Sequence, residues 1–205
     1  MTRDSSPQFF LEAMTAKIMH DLMTPASALS SGVELLEGNI APANEIVPLL
    51  RESVDKLLGT LMLFRSSWGK NSTTTRGKSG ETQETRRLLT DFIAMRKHRL
   101  THCEMPEMLG VSMQRILLAA LYLLNDVLLP GGEIQVLCTE AQLQITLVGK
   151  ITKSAADLAA AFDGPLTAAD TQTVLWAATQ EMIRDASCVM TLTDIEDGLI
   201  LVLSN

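Results

Sequence analysis

Residues 11–36 read LEAMTAKIMHDLMTPASALSSGVELL, and their spacing decides the first half of the fold. Leu11, Met14, Ile18, Leu22, Leu29, Val33 and Leu36 recur at intervals of three, four, four, seven, four and three. That is the period of one long amphipathic helix. Gly38-Asn39-Ile40-Ala41-Pro42 supplies the turn residues that end it. A second stripe, Val47, Leu50, Val54, Leu57, Leu61 and Phe64, follows at threes and fours. Two long helices joined by a short loop predict an antiparallel hairpin. A lone hairpin leaves a wide apolar stripe uncovered. The expected cover is a second copy, giving a four-helix bundle by homodimerisation.

Ser66 to Arg86 is polar, rich in Ser, Thr, Gly and Lys, and reads as a boundary. The expected division is a helical hairpin over 1–68, a polar linker over 69–86 and a second domain over 87–205. In that second domain Leu88, Leu89, Phe92, Ile93 and Met95 predict a helix, and Met113 to Leu129 a strongly apolar one. Pro130-Gly131-Gly132 stops it. Ile134, Val136 and Cys138 then alternate with Gln135, Leu137 and Thr139, and Leu143, Ile145 and Leu147 follow a Glu-Ala turn, as a β-hairpin does. Ala155–Phe162 and Thr171–Ala186 read as helices, and Val189–Thr193 with Leu199–Leu203 as a closing hairpin around Asp197-Gly198. The expected fold class is α+β, with the hairpin followed by an α/β sandwich carrying helices on one face of a sheet.

Composition narrows the function classes. The 205 residues, 46% hydrophobic and 20% charged, suit one medium domain or two small ones sharing an interface, and exclude global disorder. The longest apolar run, Ile116 to Leu124, has nine residues, far short of the ~20 that cross a bilayer. Residues 1–7 lack a basic patch followed by an apolar stretch, so no secretory leader and no membrane partner are expected. Cys103, Cys138 and Cys188 are scattered among apolar neighbours and read as reduced core residues of a cytoplasmic protein. A formal charge of −7 argues against a nucleic-acid partner. The charge is uneven: −3 over residues 1–65, +5 over 66–100 and −9 over 101–205. The basic middle reads first as a solvated linker and helix face, and second as a docking patch for an acidic protein.

His20 is the sharpest chemical feature. It is turned about 200° from Ile18 on a 3.6-residue helix, away from the apolar stripe. Lys17, Thr24, Ser27 and Ser31 fall on its side, and Met19 and Met23 flank that polar face, where a docking partner would pack. An exposed imidazole is a nucleophile near neutral pH. Asp21 is adjacent, and Pro25, one turn beyond, removes a backbone hydrogen bond and should kink the helix. On periodicity alone, an ordinary surface histidine beside a proline is the favoured reading. His98, His102, Cys103 and Glu104 form a weaker cluster; they straddle a helix end and a strand start, so no metal site is expected.

The string His20-Asp21-Leu22-Met23-Thr24-Pro25 resembles the phosphoacceptor motif of two-component histidine kinases. Extended through Ala26 to Leu36, it is most similar to the ChpT-type bacterial histidine phosphotransferases. Lys56-Leu57-Leu58, Leu63-Phe64-Arg65 and Trp68-Gly69 fall where that family closes its second helix, and Leu129-Pro130-Gly131-Gly132 and Trp176-Ala177 extend the likeness. The resemblance implies a dimeric bundle followed by a degenerate kinase-like ATP-binding domain. Asn125 stands where a kinase holds its metal-binding asparagine. The Asp-x-Gly-x-Gly box is missing, since Gly149-Lys150-Ile151-Thr152 follows Leu147-Val148. Nucleotide binding is therefore expected to be lost.

On this resemblance His20 takes a phosphoryl group from one receiver-domain aspartate and passes it to another. Asp21 orients the ring, and Thr24 positions a water for the dephosphorylating direction, although the family more often has Ser or Asn there. Lys17, Met23, Ser27 and Ser31 would meet the partner. The partners implied are response-regulator receiver domains and a hybrid histidine kinase. No cofactor is expected on this chain, the Mg²⁺ belonging to the receiver. Two other classes stay open: a non-catalytic module that binds and inhibits a kinase or regulator, and an active kinase, which the missing boxes disfavour.

Overall fold

The computed structural model describes residues 7–40, 42–69, 79–139, 141–163 and 173–204. Helices α1 (Pro7–Glu37) and α2 (Ala43–Ser67) form the antiparallel hairpin. Gly32 lets them close: a Cβ there would meet Leu50 Cδ2 at 2.5 Å. After α3 (Ser79–Met95) come β1 (Arg99–Glu104), α4 (Val111–Asn125), β2 (Glu133–Cys138) and β3 (Gln142–Val148). Then follow α5 (Ala155–Asp163), α6 (Thr173–Asp185), β4 (Val189–Ile195) and β5 (Gly198–Ser204). The five strands form one sheet in the order β1-β2-β3-β5-β4, with β1 parallel to β2 and the other pairs antiparallel. The fold class is the one the sequence predicts. No described helix is long and apolar enough to cross a membrane.

Strand alternation sets the core. Ile134, Val136 and Cys138 of β2, Leu143, Ile145 and Leu147 of β3, and Leu199, Leu201 and Leu203 of β5 all turn inward and are buried. Onto them lies α4, whose residues from Ile116 to Asn125 are buried without a break. A helix apolar on every side must be wrapped on every side. The sheet covers one side, α3 and α6 flank it, and α2 covers the rest. Each large apolar side chain buried this way contributes about 1.5–3 kcal/mol.

The hairpin therefore does not depend on a second copy for all of its apolar surface. Phe10, Met14, Ile18, Leu63, Phe64 and Trp68 join the same core as the sheet domain. The stripe read as one face of α2 is divided. Phe64 is buried in that core beside Leu63, Leu50 and Leu57 are half-buried, and Val47, Val54 and Leu61 are left exposed, as are Leu58 and Met62 next to them.

The polar segment read as linker also behaves differently from expectation. Helix α3 begins at Ser79, inside it. Thr82 Oγ1 accepts the Leu109 N–H at 3.0 Å, and Thr85 Oγ1 donates to Gln114 Oε1 at 2.6 Å. Gln114 Nε2 then donates to the Leu109 carbonyl at 2.6 Å. These hydroxyls are buried and satisfied, so they build a junction rather than a tether. Residues 70–78 of the expected linker lie outside the described residues. Among the described cations of the basic middle, Arg86 donates to the Cys103 and Met105 carbonyls, and Arg87, Lys97 and Arg99 pair with Asp91, Glu52 and Glu133. Arg96 lies over the Phe92 ring. The apolar helix expected to run to Leu129 ends at Asn125, and Cys103 and Cys188, read as core residues, are half-buried whereas Cys138 is buried.

His98 is buried at the end of α3, near Asn125 of α4. Burial first, and the Arg96 charge second, hold its imidazole below the ordinary 6.5, while Asn125 acts the other way. A depressed histidine favours the unfolded state once protons are available. Its contribution to stability is complete above pH 6.5 and is lost as the pH falls through the lower folded value. Urea midpoints measured from pH 7 to about 5 should fall less steeply for His98→Gln than for the native chain. Equal slopes would remove His98 as the cause.

Candidate functional site

His20 sits mid-helix in α1 with its side chain 80% exposed, whereas Asp21 beside it is 13% exposed. Successive helical residues are turned by about 100°. When His20 faces solvent, Asp21 faces the groove where α4 approaches. Three groups converge on its carboxylate. Lys17 Nζ, one turn earlier, donates to Oδ1 at 2.8 Å. The Tyr122 hydroxyl, from α4, donates to Oδ2. His20 Nδ1 lies 3.2 Å from Oδ1.

A carboxylate only accepts hydrogen bonds, so this contact places the ring hydrogen on Nδ1. The lone pair is then on Nε2 of an exposed ring. Burial alone would raise the Asp21 carboxyl, but hydrogen bonds from Lys17, Tyr122 and His20, with the Lys17 charge, outweigh it and hold the group below the usual carboxylate range. Burial, then the hydrogen bond to Asp21, pushes the Tyr122 phenol far above its ordinary value, so the proton stays on the tyrosine.

Thr24, Ser27, Ser31, Met19 and Met23 are exposed along α1, around His20. Lys17 is not part of that open face: its side chain is 12% exposed and its ammonium is engaged by Asp21. Pro25 is buried, and α1 runs through it as helix. Having no N–H, Pro25 leaves the Asp21 carbonyl without its intrahelical donor. The residue that sequence reasoning missed is Tyr122. The signal was present: the chain's single tyrosine lies inside the most apolar run, and a buried hydroxyl must find an acceptor.

The residues that a kinase-like reading assigns to nucleotide do not share a cleft. Asn125 is 6% exposed and faces the protein interior near His98. The segment after β3 is tied to the α4–β2 connection: Leu129 N donates to the Lys150 carbonyl at 3.0 Å, and Thr152 N donates to the Val127 carbonyl at 2.9 Å. Gly149, at φ +134°, makes the turn, and a Cβ there would come within 3.2 Å of Gly132 Cα. An open cleft of about 790 Å³ between residues 148–154 and 194–198 contains none of the site residues above. His102 and Glu104 lie 3.6 Å apart on β1, and no three His, Cys, Asp or Glu side chains converge among the described residues.

The model of the histidine phosphotransferase C-terminal domain matches residues 82–198, more than half of the chain. The chain belongs to the histidine phosphotransferase family. This histidine phosphotransferase shares its whole fold with a solved bacterial phosphotransferase, at TM-score 0.78 and 18% identity over 97% of both chains. The ChpT-type resemblance read from His20 onward is borne out by these two findings. The histidine kinase AdeS of Acinetobacter baumannii also matches, over 90% of this chain and 95% of its own, at 11% identity and TM-score 0.45. The catalytic domain of the histidine kinase ThkA matches over 63% and 94%, at 12% identity and TM-score 0.47. No curated protein matches. Family membership puts the chain in phosphorelay signalling.

Lys17 contributes to the low Asp21 carboxyl both as donor and as charge. Lys17→Met should therefore move the Asp21 titration upward, toward the ordinary 3.8, in a carbon-13 NMR titration. The low native value favours the folded state above that pH, so the variant should also lose some stability at neutral pH. An unmoved carboxyl would show that the ion pair does not act in solution.

Proposed function

We propose that His20 carries phosphoryl groups between the aspartates of receiver domains. The observation that supports this most is the pairing of an exposed imidazole with a mostly covered carboxylate through Nδ1. Nε2 attacks phosphorus in line, a P–N bond forms, and the aspartyl P–O bond breaks with its electron pair leaving on the receiver carboxylate. The ring becomes cationic, and Asp21 holds the Nδ1 proton and stabilises that charge. In the onward step an aspartate oxygen of a second receiver attacks phosphorus, and the electron pair of the P–N bond returns to Nε2. The receiver supplies the Mg²⁺ that neutralises the moving group. A hybrid histidine kinase stands upstream. Thr24, exposed one turn beyond His20, is suited to orient a water that hydrolyses the phosphohistidine.

The chain acts as a homodimer in this reading. Val47, Val54, Leu58, Leu61 and Met62 form a continuous exposed strip on α2, on the side away from the buried Thr60, Leu63 and Ser67. A second copy covers it and completes the four-helix bundle. Leu58→Asp should convert the dimer to a folded monomer by light scattering, since a buried unpaired carboxylate costs several kcal/mol. A native chain that is already monomeric at micromolar concentration would contradict the dimer.

With magnesium-ATP alone the protein should stay unmodified. Given a phosphorylated receiver, it should acquire acid-labile, base-stable phosphate. His20→Gln should fold and dimerise yet carry none. Asp21→Asn should slow transfer by roughly 10²–10⁴-fold. Thr24→Ala should leave forward transfer intact and slow net loss of phosphate to water. Relay at the native rate by the Gln variant would replace this reading with that of a non-catalytic interaction module.

A further inference from the structure

We propose that Tyr122, from the sheet domain, is a positioning residue for His20: it fixes the Asp21 carboxylate, and through it the ring tautomer that leaves Nε2 free to attack. The inference rests on the phosphotransfer reading above and assigns to the second domain a part in the chemistry.

The geometry carries it. Asp21 has two oxygens with separate duties. Oδ1 takes both Lys17 and His20 Nδ1, and Oδ2 takes Tyr122. Lys17 and His20 are on the same helix as Asp21, so neither anchors the carboxylate to anything outside α1. Tyr122 is the donor that does. Its own ring is enclosed: it is 1% exposed and packed against Phe64, Trp68 and Phe92 at centroid distances of 4.9, 5.8 and 5.9 Å. The phenol is thus a rigid post, and a carboxylate bonded to it keeps Oδ1 aimed at the imidazole. The other charges whose fields reach the phenol are Arg96 and Asp126, and neither hydrogen-bonds it. Without the hydroxyl, Asp21 rotates toward Lys17 or water, and the ring is free to carry its hydrogen on Nε2, where attack is blocked.

Phosphoramidate tests this without a protein partner. Nε2 displaces ammonia from phosphorus, so a P–N bond to the ring replaces the one to ammonia. The native chain should take one phosphoryl on His20. Tyr122→Phe keeps the ring and its packing but should react roughly 10–100-fold more slowly, a loss of the size seen when the outer partner that orients a metal-ligating histidine is removed. Nitrogen-15 NMR of the ring separates positioning from packing. Native His20 should show hydrogen on Nδ1, and the Phe variant a mixture of tautomers. Phe162→Leu loosens the core around Trp176 without touching the rings that hold Tyr122. It should lower the melting temperature yet leave the tautomer and rate unchanged.

Because Tyr122 is the only tyrosine, growth on 3-fluorotyrosine labels this position alone. Its fluorine-19 resonance should move in Asp21→Asn, which gives a readout even if the Phe variant folds poorly. The inference falls if Tyr122→Phe reacts at the native rate with the native tautomer. It also falls if Phe162→Leu matches the loss, or if the fluorine resonance ignores Asp21→Asn. If the native chain takes no phosphoryl on His20, the reading of the site itself fails instead.

Discussion

Helix α4 is the constraint on which the rest of the structure depends. From Ile116 to Asn125 it offers no face to water, so every neighbouring element is arranged to cover it. The sheet supplies one wall, and the N-terminal hairpin must supply another. That requirement makes one folded body of two segments that read in sequence as separate. It also decides the fate of the helix's one aromatic hydroxyl. Buried and unable to reach solvent, the Tyr122 hydroxyl needs an acceptor, and the acceptor at hand is the carboxylate next to His20. A packing demand and a chemical arrangement meet at the same atom.

The electrostatics of Asp21 follow from that meeting. A carboxylate moved out of water tends to pick up a proton and lose its use as an acceptor. Three donors reverse that tendency, and the group stays ionised although mostly covered. Two of them come from its own helix and one from 101 residues away in the chain. Arg115 adds a second tie between the halves by donating to the Ser67 carbonyl at the end of α2, at 2.8 Å. Orphan carbonyls at a helix C-terminus favour such a donor.

What could be read from sequence is what is periodic or punctuated. The stripes from Leu11 to Leu36 and from Val47 to Phe64, the alternation of Ile134-Val136-Cys138, and the turn at Asp197-Gly198 are local signals, and the elements stand where those signals put them. His20 and Asp21 were legible because their motif is short and contiguous. The division of the α2 stripe was not, because periodicity says that a side chain is buried and not against what. Thr82 and Thr85 resemble linker residues until Leu109 and Gln114 are brought beside them. Lys17 counts as a surface cation until its partner is known to be half-buried. Tyr122 and Asp21 lie too far apart in the chain for any local pattern to join them.

The order of strands has a consequence for how the chain comes to be folded. Strand β5 lies between β3 and β4, so it is an interior strand built from residues 198–204. Until the ribosome has delivered that segment, β3 shows an unpaired edge whose alternate residues, Leu143, Ile145 and Leu147, are apolar. Such an edge is a template for pairing with another nascent chain. Long-range pairing of this kind also closes slowly. The helical hairpin can form early during synthesis, but the sheet becomes safe from misassembly only at its completion, and a chaperone that shields β3 in the interval would improve the yield of correctly closed molecules.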